Sequence, residues 1–542
     1  MGALYFGDNL DILRDEIKSE SIDLVYLDPP FNSKSGYNLL FKTPKGYVSD
    51  AQITAFQDTW SWGKQAEKEF AELLHQPNTD VAEMIQSLRR FLKESDMMAY
   101  LTMMANRLVE LHRVLKPTGS LYLHCDPTAS HYLKIVLDTV FGHDNFKNDI
   151  TWLRTVPKSD FRQGATNFPR VHDCILYYQK DSSLCKTFNQ PFSEYDPEYI
   201  ESSYPFVEPE TGRRYGAHSL TAPGAGSRGH PQYEFLGVVR YWRYSKEKME
   251  QLLKEGRIIQ SKEGNVPRYK RYLDEVEGVP IGDVWTDINN LQGASKERLG
   301  YPTQKPQALL ERIIKASSNE GDLVLDPFCG CGTAVHAAQT LKRDWIGIDI
   351  THLAISLIEK RMKDAFPSIS FQVHGTPKDL DGARNLAERD KYQFQWWACS
   401  LVNAQPYQGK KKGADSGIDG LIFFQDDNSG AKKIIVSVKG GENVTRTMIA
   451  DLKNTVEREK AQIGLFVTLA EPTKPMITEA ASAGFYESPH MGAYPKIQIL
   501  TIADLLSGKE KPNYPDLSRG GLSFKKAKVE QQRAEQTKLE GF

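Results

Sequence analysis

The sequence lacks the features that mark secreted, membrane-spanning and ATP-hydrolysing proteins. Its 542 residues include only six cysteines and no CxxC pair, which fits a reducing compartment and offers no zinc site. No apolar stretch is long enough to cross a bilayer, and MGALYFGDNLDIL lacks the basic-then-apolar layout of a signal peptide. The phosphate-binding pattern GxxxxGK[ST] is also absent, which argues against an ATPase. We therefore expect a cytoplasmic protein without a membrane partner.

The charge of the chain is balanced overall but not locally. The formal net charge of −2 does not by itself indicate a nucleic-acid binder. Residues 211–271, however, hold thirteen Lys and Arg against five acidic residues, and six Tyr and Trp side chains are interleaved with them. Cations beside aromatic rings suit phosphate contact together with base stacking. Taken alone, such a stretch is more often a solvated face with a few core aromatics.

Strand and helix patterns alternate through the first part of the chain and return later. Short apolar runs predict strands, and apolar residues at helical spacing predict the helices between them. The alternation indicates an α/β protein with a mostly parallel, doubly wound, Rossmann-like sheet. The predicted strands are 3–8, 22–28, 120–126, 173–180 and the runs ending at Asp326 and Asp349, and the predicted helices include 97–116, which stops at KPTG, and ASHYLKIVLDTVF.

Breaks in this alternation divide the chain into parts. Between 182 and 300 the periodicity weakens and Gly, Pro, Tyr and Arg become frequent, which predicts an inserted module. Beyond 375 a new helix, a Gly-rich turn and a strand pair begin. Residues 43–96 fit neither pattern, and we interpret them as a lid near the site or as a packed excursion. The predicted parts are a first domain of 1–181 and 301–375, an inserted region of 182–300, a C-terminal domain of 376–515 and a polar tail of 516–542.

One predicted strand ends in an unusual sequence. The apolar run IDLVYL is followed directly by Asp28, Pro29, Pro30 and Phe31. Neither proline has an N–H to donate, so the strand cannot continue in a sheet ladder. Binding sites in α/β proteins gather at the carboxyl ends of strands. The motif therefore either turns the chain or presents a rigid pair of hydrogen-bond acceptors to a ligand.

A second strand end predicts a nucleoside cofactor. The apolar run that ends at Asp326 leads into the glycine turn DPFCGCGT and then into a helix. Gly330 and Gly332 allow the backbone to approach a ligand, and the helix N-terminus offers N–H groups to a negative group. Asp349 ends the next strand, about twenty residues later, where a carboxylate can bind both hydroxyls of a ribose.

Together these motifs resemble those of a known family. DPPF (28–31), YPTQKP (301–306) and DPFCGCGT (326–333) are similar to motifs of DNA amino-methyltransferases, and their order resembles the β class of that family. The resemblance covers residues 1–375. It implies S-adenosyl-L-methionine as the cofactor, double-stranded DNA as the substrate, and a restriction–modification or phage-defence role at a bacterial nucleoid. The cofactor-binding residues that it implies are Asp8, Asn9, Thr303, Gln304, Lys305, Pro306, Asp326, Phe328, Gly330, Gly332, Thr333 and Asp349.

The resemblance also implies roles for DPPF as the catalytic motif. The target would be an exocyclic amine, a poor nucleophile because its lone pair is delocalised into the base. The Asp28 carboxylate and the Pro29 carbonyl can accept its two N–H groups, while Pro30 stiffens the backbone. Phe31 offers a ring face to the extruded base. An acid at the first position goes mostly with N6-adenine in this family, so we expect adenine, with N4-cytosine as the alternative; 182–300 would be the target-recognition region.

Residues 391–441 resemble the PD-(D/E)xK nuclease superfamily. The segments KYQFQWWACSLV, KKGADSGIDG and KKIIVSVKGG are similar to its helix, its acidic strand and its lysine strand. The resemblance implies Asp419 as a ligand of a divalent cation such as Mg²⁺, and Lys439 as the lysine that helps the attacking hydroxide. Ser437 stands where Glu, Asp or Gln is usual, and Gln395 stands where a helix acid often occurs. A neutral hydroxyl is a weaker ligand for a hard cation than a carboxylate.

Several questions stay open from the sequence. Asp415 is a candidate to replace the missing acid, and a plain turn followed by a solvated lysine is the structural alternative. The chain could therefore be a single-chain restriction–modification enzyme, or a methyltransferase whose C-terminal domain only binds DNA or a partner. A methyltransferase acting on RNA or protein amines is a third hypothesis. A homodimer and a separate restriction subunit are both compatible with the sequence, although neither is implied by it.

Overall fold

The protein is described from a computed structural model that divides into two compact units, residues 1–189 with 283–542, and residues 190–282. For 36–42 and 48–57 only the backbone is described. The described residues are 2–30, 36–42, 48–57, 61–156, 168–222, 229–292, 295, 297–299, 301, 303–407, 417–427, 430–517, 527 and 530.

The N-terminal part alternates strands and helices, as predicted. Three of its helices begin at a side-chain cap, because Asp8, Asn78 and Ser95 each accept a hydrogen bond from a backbone N–H of the first turn. Its strands are β1 (Gly2–Phe6), β2 (Ile22–Leu27), β3 (Gly36–Lys42), β4 (Val48–Gln57), β5 (Leu115–Cys125), β6 (Phe146–Leu153) and β7 (His172–Gln179), and its helices are α1 (Asn9–Asp15), α2 (Lys64–Leu74), α3 (Thr79–Leu92), α4 (Asp96–Val114) and α5 (Ser130–Phe141).

Two details of this part differ from the sequence prediction. The helix α4 ends at Val114, but KPTG forms the start of β5 instead of a separate turn, since the strand begins at Leu115. Within the segment 43–96, the helices α2 and α3 contribute buried apolar side chains such as Phe70 and Ile85 to the same core as α4. This packing favours the interpretation of residues 64–92 as a packed excursion.

The unit 190–282 is built on antiparallel pairs. Its largest sheet has the strand order β13-β14-β10-β9, and its core includes the fully buried Trp242 and Met249. The unit lies inside the predicted inserted region 182–300, which therefore has strands and helices of its own. These are β8 (Phe192–Ser193), β9 (Phe206–Val207), β10 (Arg214–Ser219), β11 (Gln232–Phe235), β12 (Val238–Tyr241), β13 (Ile258–Ile259), β14 (Arg268–Tyr272), β15 (Val279–Pro280), α6 (Pro197–Ser203) and α7 (Lys246–Lys254).

After this unit the chain returns to the first sheet. Three helices and four strands follow one another, and β17 enters the sheet beside β2. The elements are β16 (Val284–Trp285), β17 (Leu323–Asp326), β18 (Asp344–Asp349), β19 (Phe371–His374), α8 (Gln307–Ser317), α9 (Thr333–Thr340) and α10 (His352–Ala365).

The central sheet of the described residues has nine strands in the order β16-β6-β7-β5-β2-β17-β18-β1-β19. The strands from β5 to β19 in this order all pair in parallel, and β7 is antiparallel to both β5 and β6. The prediction of a mostly parallel α/β sheet is confirmed. In the register of β2 with β17, Leu24 pairs with Val324 and Val25 with Leu325, so these two strands end side by side.

The C-terminal part forms a second, smaller α/β sheet. Its strand order is β20-β21-β22-β23-β26, with β21 antiparallel to β22 and the last three strands parallel. The elements are β20 (Gln405–Pro406), β21 (Gly420–Phe424), β22 (Lys432–Lys439), β23 (Ile463–Thr468), β24 (Phe485–Ser488), β25 (Gly492–Pro495), β26 (Ile497–Thr501), α11 (Leu380–Arg389), α12 (Lys391–Leu401), α13 (Arg446–Arg458), α14 (Lys474–Ser482) and α15 (Ile502–Ser507).

The two sheets share one apolar cluster. Tyr301, Cys331 and Leu353 from the first part belong to the same buried cluster as Ile418 and Leu421 from the second. The two parts also meet at a hydrogen bond that the His352 backbone N–H donates to Gln393 Oε1 over 3.1 Å. None of the helices described is both long and apolar enough to cross a membrane.

The central ladder can be tested at Leu325, which is fully buried in β17. We expect Leu325→Ala to lower the free energy of unfolding by about 2–5 kcal/mol, because the truncation removes buried apolar surface and leaves a cavity. The denaturant midpoint of unfolding measures this loss. The control is Ile477→Ala, which truncates an aliphatic side chain that is 53% exposed. An equal shift of the midpoint in both variants would contradict the central position of Leu325.

Candidate active site

Four neighbouring strands of the central sheet end at one cavity. Asp8, Asp28, Asp326 and Asp349 stand at the carboxyl ends of β1, β2, β17 and β18, and all four line a cavity of about 230 Å³. Carboxyl ends of parallel strands are the usual place for binding sites in such folds. Motifs that lie more than 300 residues apart in the sequence therefore meet in one place.

Most of the residues predicted for the site line this cavity. Gly332 and Pro306 lie next to lining residues without lining the cavity themselves, and Phe31 lies outside the described residues. The predicted residues that line it are Asp8, Asn9, Asp28, Pro29, Pro30, Thr303, Gln304, Lys305, Asp326, Phe328, Gly330, Thr333 and Asp349.

The carboxylate of DPPF forms an ion pair with the lysine of YPTQKP. Lys305 Nζ donates a hydrogen bond of 2.6 Å to Asp28 Oδ2, and both side chains are largely buried. The sequence resemblance placed Lys305 among the cofactor-binding residues. In the structure Lys305 lines the cavity, and its ammonium binds one oxygen of the predicted catalytic acid.

The glycine turn is held in a conformation that favours glycine. Gly330 and Gly332 have φ of +49° and +74°, a region that other residues rarely adopt. A Cβ atom on Gly332 would lie 2.8 Å from Ile358 Cγ1, so this glycine also permits close packing of α9 on α10. The Gly330 N–H points to the next strand end and donates to Asp349 Oδ2 over 3.0 Å. The turn and the acid of β18 are thus joined directly.

A buried arginine organises the end of β1. Arg107, on α4, donates to Asp8 Oδ1 over 2.9 Å and to Asn9 Oδ1 over 2.6 Å. Asn9 in turn donates from Nδ2 to the Pro327 carbonyl over 2.8 Å. Glu69 lies 3.6 Å from the same guanidinium. These contacts fix Asp8 and Asn9 against the glycine turn.

Arg107 was missed in the sequence because it lies in a helix with an apolar core pattern. An arginine inside an apolar pattern is a signal that could have identified it, because a buried guanidinium requires a polar partner nearby. Tyr301 was also missed; it is fully buried and lies 3.1 Å from the position that a Cβ of Gly330 would take. The other lining residues that were not predicted are Gly7, Tyr26, Met103, Leu310, Pro327, Cys329, Cys331, Ala334, Ile350 and Thr351.

Two of the clustered carboxylates, those of Asp326 and Asp349, have raised pKa values. Burial raises the pKa of Asp326 well above its ordinary value, and the charges of Asp28 and Asp349 add to this shift. Burial also raises the pKa of Asp349, to about 6, against the lowering effect of hydrogen bonds from Thr351 and Gly330. Carboxyl oxygens and backbone N–H groups at one place make the cavity suited to a ligand with hydroxyl groups.

The C-terminal residues that resemble a nuclease site lie on neighbouring elements. Gln395 Nε2 on α12 donates to Asp419 Oδ1 over 2.9 Å, and the Val438 N–H donates to Asp419 Oδ2 over 2.7 Å. Ser437 is 5% exposed within β22, and Lys439 ends the same strand. Asp415 lies outside the described residues.

These side chains offer few ligands for a divalent cation. Among the residues that the structure describes, no group of three or more His, Cys, Asp or Glu could hold a metal ion. Asp419 is the carboxylate of the predicted set, and Ser437 supplies only a neutral hydroxyl. Because these residues supply one carboxylate and a neutral hydroxyl, we derive no metal-dependent step from them.

Comparison with known proteins finds two family matches. Residues 22–360 match a family described as DNA methylase, which covers N6 and N4 methyltransferases. Residues 386–490 match a family described as restriction endonuclease. The first match includes DPPF, the glycine turn and Asp349, and the second includes Asp419 and Lys439.

Individual relatives are restriction–modification methyltransferases. The chain is 34% identical to the type II methyltransferase M.EcaI of Enterobacter cloacae over 267 residues, which are 48% of this chain and 57% of that protein. It is 27% identical to the type III StyLTI Mod subunit of Salmonella typhimurium over 354 residues, which are 62% of this chain and 50% of that protein. The chain thus spans about half the length of these relatives. A solved complex of M1.HpyAVI with S-adenosylmethionine has 16% identity and a TM-score of 0.32, covering 67% of this chain and 99% of that one.

The raised pKa of Asp349 predicts a pH dependence of stability. Between its ordinary value of 3.8 and about 6, the folded protein holds a proton that the unfolded chain releases. The contribution of Asp349 to stability is therefore present below pH 4 and is lost as the pH rises through 6.

We expect the ligand-free wild type to lose about 2–3 kcal/mol of unfolding free energy from pH 4 to pH 7 relative to Asp349→Asn, since one pKa unit corresponds to about 1.4 kcal/mol. Denaturant midpoints of both proteins at the two pH values measure this difference. Asparagine does not titrate, so the test compares how much the unfolding free energy of each protein changes between the two pH values. Identical pH dependences in the two proteins would contradict the raised pKa.

Proposed function

Because the chain belongs to the DNA methylase family of N6 and N4 methyltransferases, we propose that it methylates the exocyclic amine of adenine in double-stranded DNA. The observation that carries this proposal is the position of Asp28 and Pro29 on the wall of the cavity that also contains the glycine turn and Asp349. A nucleophile-orienting motif and a nucleoside-binding motif face the same space.

The cavity residues fit S-adenosyl-L-methionine as the cofactor. The glycine turn leaves room for close backbone approach, and the Asp349 carboxylate lies beside it to bind ribose hydroxyls. Asp8 and Asn9, fixed by Arg107, form the neighbouring wall. When bound, this cofactor supplies an electrophilic methyl group. The residues of the chain supply orientation, charge and exclusion of water.

The task of DPPF is to orient the amine of an extruded base. The Asp28 carboxylate and the Pro29 carbonyl are both acceptors, and together they can hold the two N–H groups of one amine. Because Lys305 binds Asp28 through Oδ2, the carboxylate can present Oδ1 to the amine while Oδ2 stays fixed. This arrangement gives the nitrogen a defined direction and places negative charge where positive charge develops.

Adenine is proposed ahead of cytosine because an acid begins the motif. Asp28 matches the residue type that accompanies N6-adenine in the β class that the chain resembles. Adenine and cytosine both carry an exocyclic amine with two N–H groups, so the geometry at Asp28 and Pro29 is compatible with either base. N4-cytosine therefore stays the alternative.

The unit 190–282 is proposed to contact the target DNA. Several of its cations are already paired, because Arg213 and Arg257 bind Glu275, and Lys270 binds Glu208. Others are exposed on its surface and can meet phosphates, which supply most of the affinity in DNA binding. These exposed cations are Arg240, Arg243, Lys246, Lys248, Arg268 and Arg271.

The methyl-transfer proposal is tested at Asp28. We expect Asp28→Ala to reduce transfer of a labelled methyl group to unmethylated duplex DNA by about 10²–10³-fold, because removal of one preorganised electrostatic contact has this effect. Base-resolved mapping of the product identifies the modified base. Cofactor binding by Asp28→Ala, measured by calorimetry, controls for folding. Labelling of RNA or protein in place of DNA, or full activity of Asp28→Ala, would overturn the proposal.

DNA cleavage by the C-terminal domain is a second candidate function. It is favoured by the restriction-endonuclease match and by the position of Asp419, whose carboxylate accepts the N–H of Val438 one residue before Lys439. Asp415, which lies outside the described residues, is the candidate from the sequence for a further acidic ligand.

The cleavage hypothesis predicts nicks or breaks in unmethylated duplex DNA when Mg²⁺ is added to the full chain. We expect Asp419→Ala and Lys439→Ala each to abolish them without affecting methyl transfer, because these residues lie in the C-terminal domain. Gel analysis of supercoiled and linear DNA gives the readout. If the DNA stays intact with the wild type across unmethylated substrates, the domain binds DNA or a partner without cutting.

A further inference from the structure

A row of polar side chains crosses the central sheet beside the cavity. Tyr26, His124 and Asp173 lie on β2, β5 and β7, which are neighbours in the sheet, and Arg154 directly follows β6, the next strand. Tyr26 Oη lies 3.0 Å from His124 Nδ1, and His124 Nε2 lies 3.2 Å from Asp173 Oδ2. Arg154 Nε lies 3.2 Å from the other oxygen of Asp173.

This row runs from the cavity toward solvent. Tyr26, His124 and Asp173 are between 0 and 3% exposed, and Tyr26 lines the cavity. At the other end, the Arg154 side chain is 38% exposed. Buried polar groups cost free energy unless they are paired, and a pure core position would be filled more simply by apolar side chains. The row is therefore unexplained by packing alone.

The direction of the hydrogen bonds follows from the carboxylate. Burial raises the pKa of Asp173, but the hydrogen bond from His124 and the charges of His124, Lys305 and Arg154 bring it below the ordinary value. An ionised carboxylate only accepts, so the His124 proton is on Nε2. When the imidazole carries only this proton, Nδ1 is an acceptor, and the Tyr26 hydroxyl donates to it. The Tyr26 oxygen, which uses its proton in this bond, can still accept a hydrogen bond from another group.

Tyr26 is placed where the target amine is expected. It lies on β2, two residues before Asp28, and Asp28 directly follows the end of that strand at Leu27. Both side chains line the same cavity. Asp28 is occupied at Oδ2 by Lys305, so a second acceptor in this cavity has a distinct use.

A methylated amine must lose one proton to become neutral. We propose that Tyr26, His124 and Asp173 form a relay that takes this proton from the amine; the inference rests on the methyltransferase function proposed above. Tyr26 is the residue that contacts the amine, and His124 and Asp173 act through it as positioning residues. This arrangement follows the logic by which a buried carboxylate orients a histidine and stabilises its protonated form.

The step balances with groups of this chain. After the nitrogen has gained its methyl group, one of its two N–H groups leaves its acceptor on Asp28 or Pro29 and turns to Tyr26. That N–H bond breaks and its proton passes to the Tyr26 oxygen. The original Tyr26 proton moves to His124 Nδ1, so Tyr26 ends as a neutral phenol and His124 as an imidazolium. The positive charge of the His124 imidazolium is balanced by the Asp173 carboxylate, which still accepts the hydrogen bond from His124 Nε2. Loss of the proton to water then restores the neutral imidazole.

The test compares two buried tyrosines of the same sheet. Tyr26→Phe removes the relay hydroxyl. Tyr122→Phe removes a hydroxyl that lies 2.6 Å from Ser317 Oγ, and Tyr122 does not line the cavity. Both changes keep the ring and lose one buried hydrogen bond. We expect Tyr26→Phe to slow single-turnover methyl transfer by about 10²-fold, the lower range for general acid–base groups, and Tyr122→Phe to leave the rate unchanged.

Two further readouts separate a relay from a structural role. In the wild type we expect slower single-turnover transfer in D₂O than in H₂O, and we expect this difference to disappear in Tyr26→Phe. In DNA-free protein, nitrogen NMR of His124 should show Nε2 protonated, and Asp173→Asn should change this pattern and slow transfer. Far-ultraviolet circular dichroism spectra should be the same in all variants and the wild type, which confirms that they fold.

The outcomes distinguish this inference from the proposed function. If the wild type does not methylate duplex DNA, the proposed function itself fails. If the wild type methylates DNA but Tyr26→Phe matches Tyr122→Phe in rate and in its response to D₂O, only the relay is overturned. A His124 that carries its proton on Nδ1 alone would also overturn it.

Discussion

The parallel pairing of β2 with β17 is the contact on which the site depends. The two strands are about 300 residues apart in the sequence, and the pairing sets Val25 beside Leu325. The Asp23 side chain reinforces it by accepting the Leu323 N–H over 2.9 Å. Because parallel strands end at the same edge, this one ladder places DPPF next to the glycine turn. A shift of register by one residue would turn the side chains to the opposite face of the sheet.

The charges at this edge are stabilised by partners from outside the four strands. Lys305 reaches Asp28 from the loop before α8, and Arg107 reaches Asp8 from α4. Asp349 is held mainly by backbone and hydroxyl donors. A buried charge without such partners would be costly, so the loop and the helix are required for the strand ends to keep their carboxylates. The site therefore depends on α4 and on the loop before α8 as well as on the four strands.

The sequence predicted those parts of the fold and the site that have local signals. Apolar runs ending in DPP or in a glycine turn identify β2 and β17, because prolines and glycines leave few other conformations. Arg107 and His124 had no comparable signal, since their partners lie about 100 residues away along the chain. The start of β5 was also missed, because the pairing of Leu115 with Ile22 decides the backbone there, against the turn tendency of KPTG.

The apolar cluster shared by the two sheets limits how the chain could have been assembled. Tyr301 and Cys331 belong at once to the wall of the cavity and to a core that includes Ile418 and Leu421. A domain that is joined by a flexible linker can be gained, lost or exchanged between genes without harm to its neighbour. Here the loss of the C-terminal domain would remove apolar contacts from Cys331 of the glycine turn and from Tyr301 beside it. The two domains are therefore expected to be inherited together, and substitutions on either side of the cluster are expected to be selected as pairs.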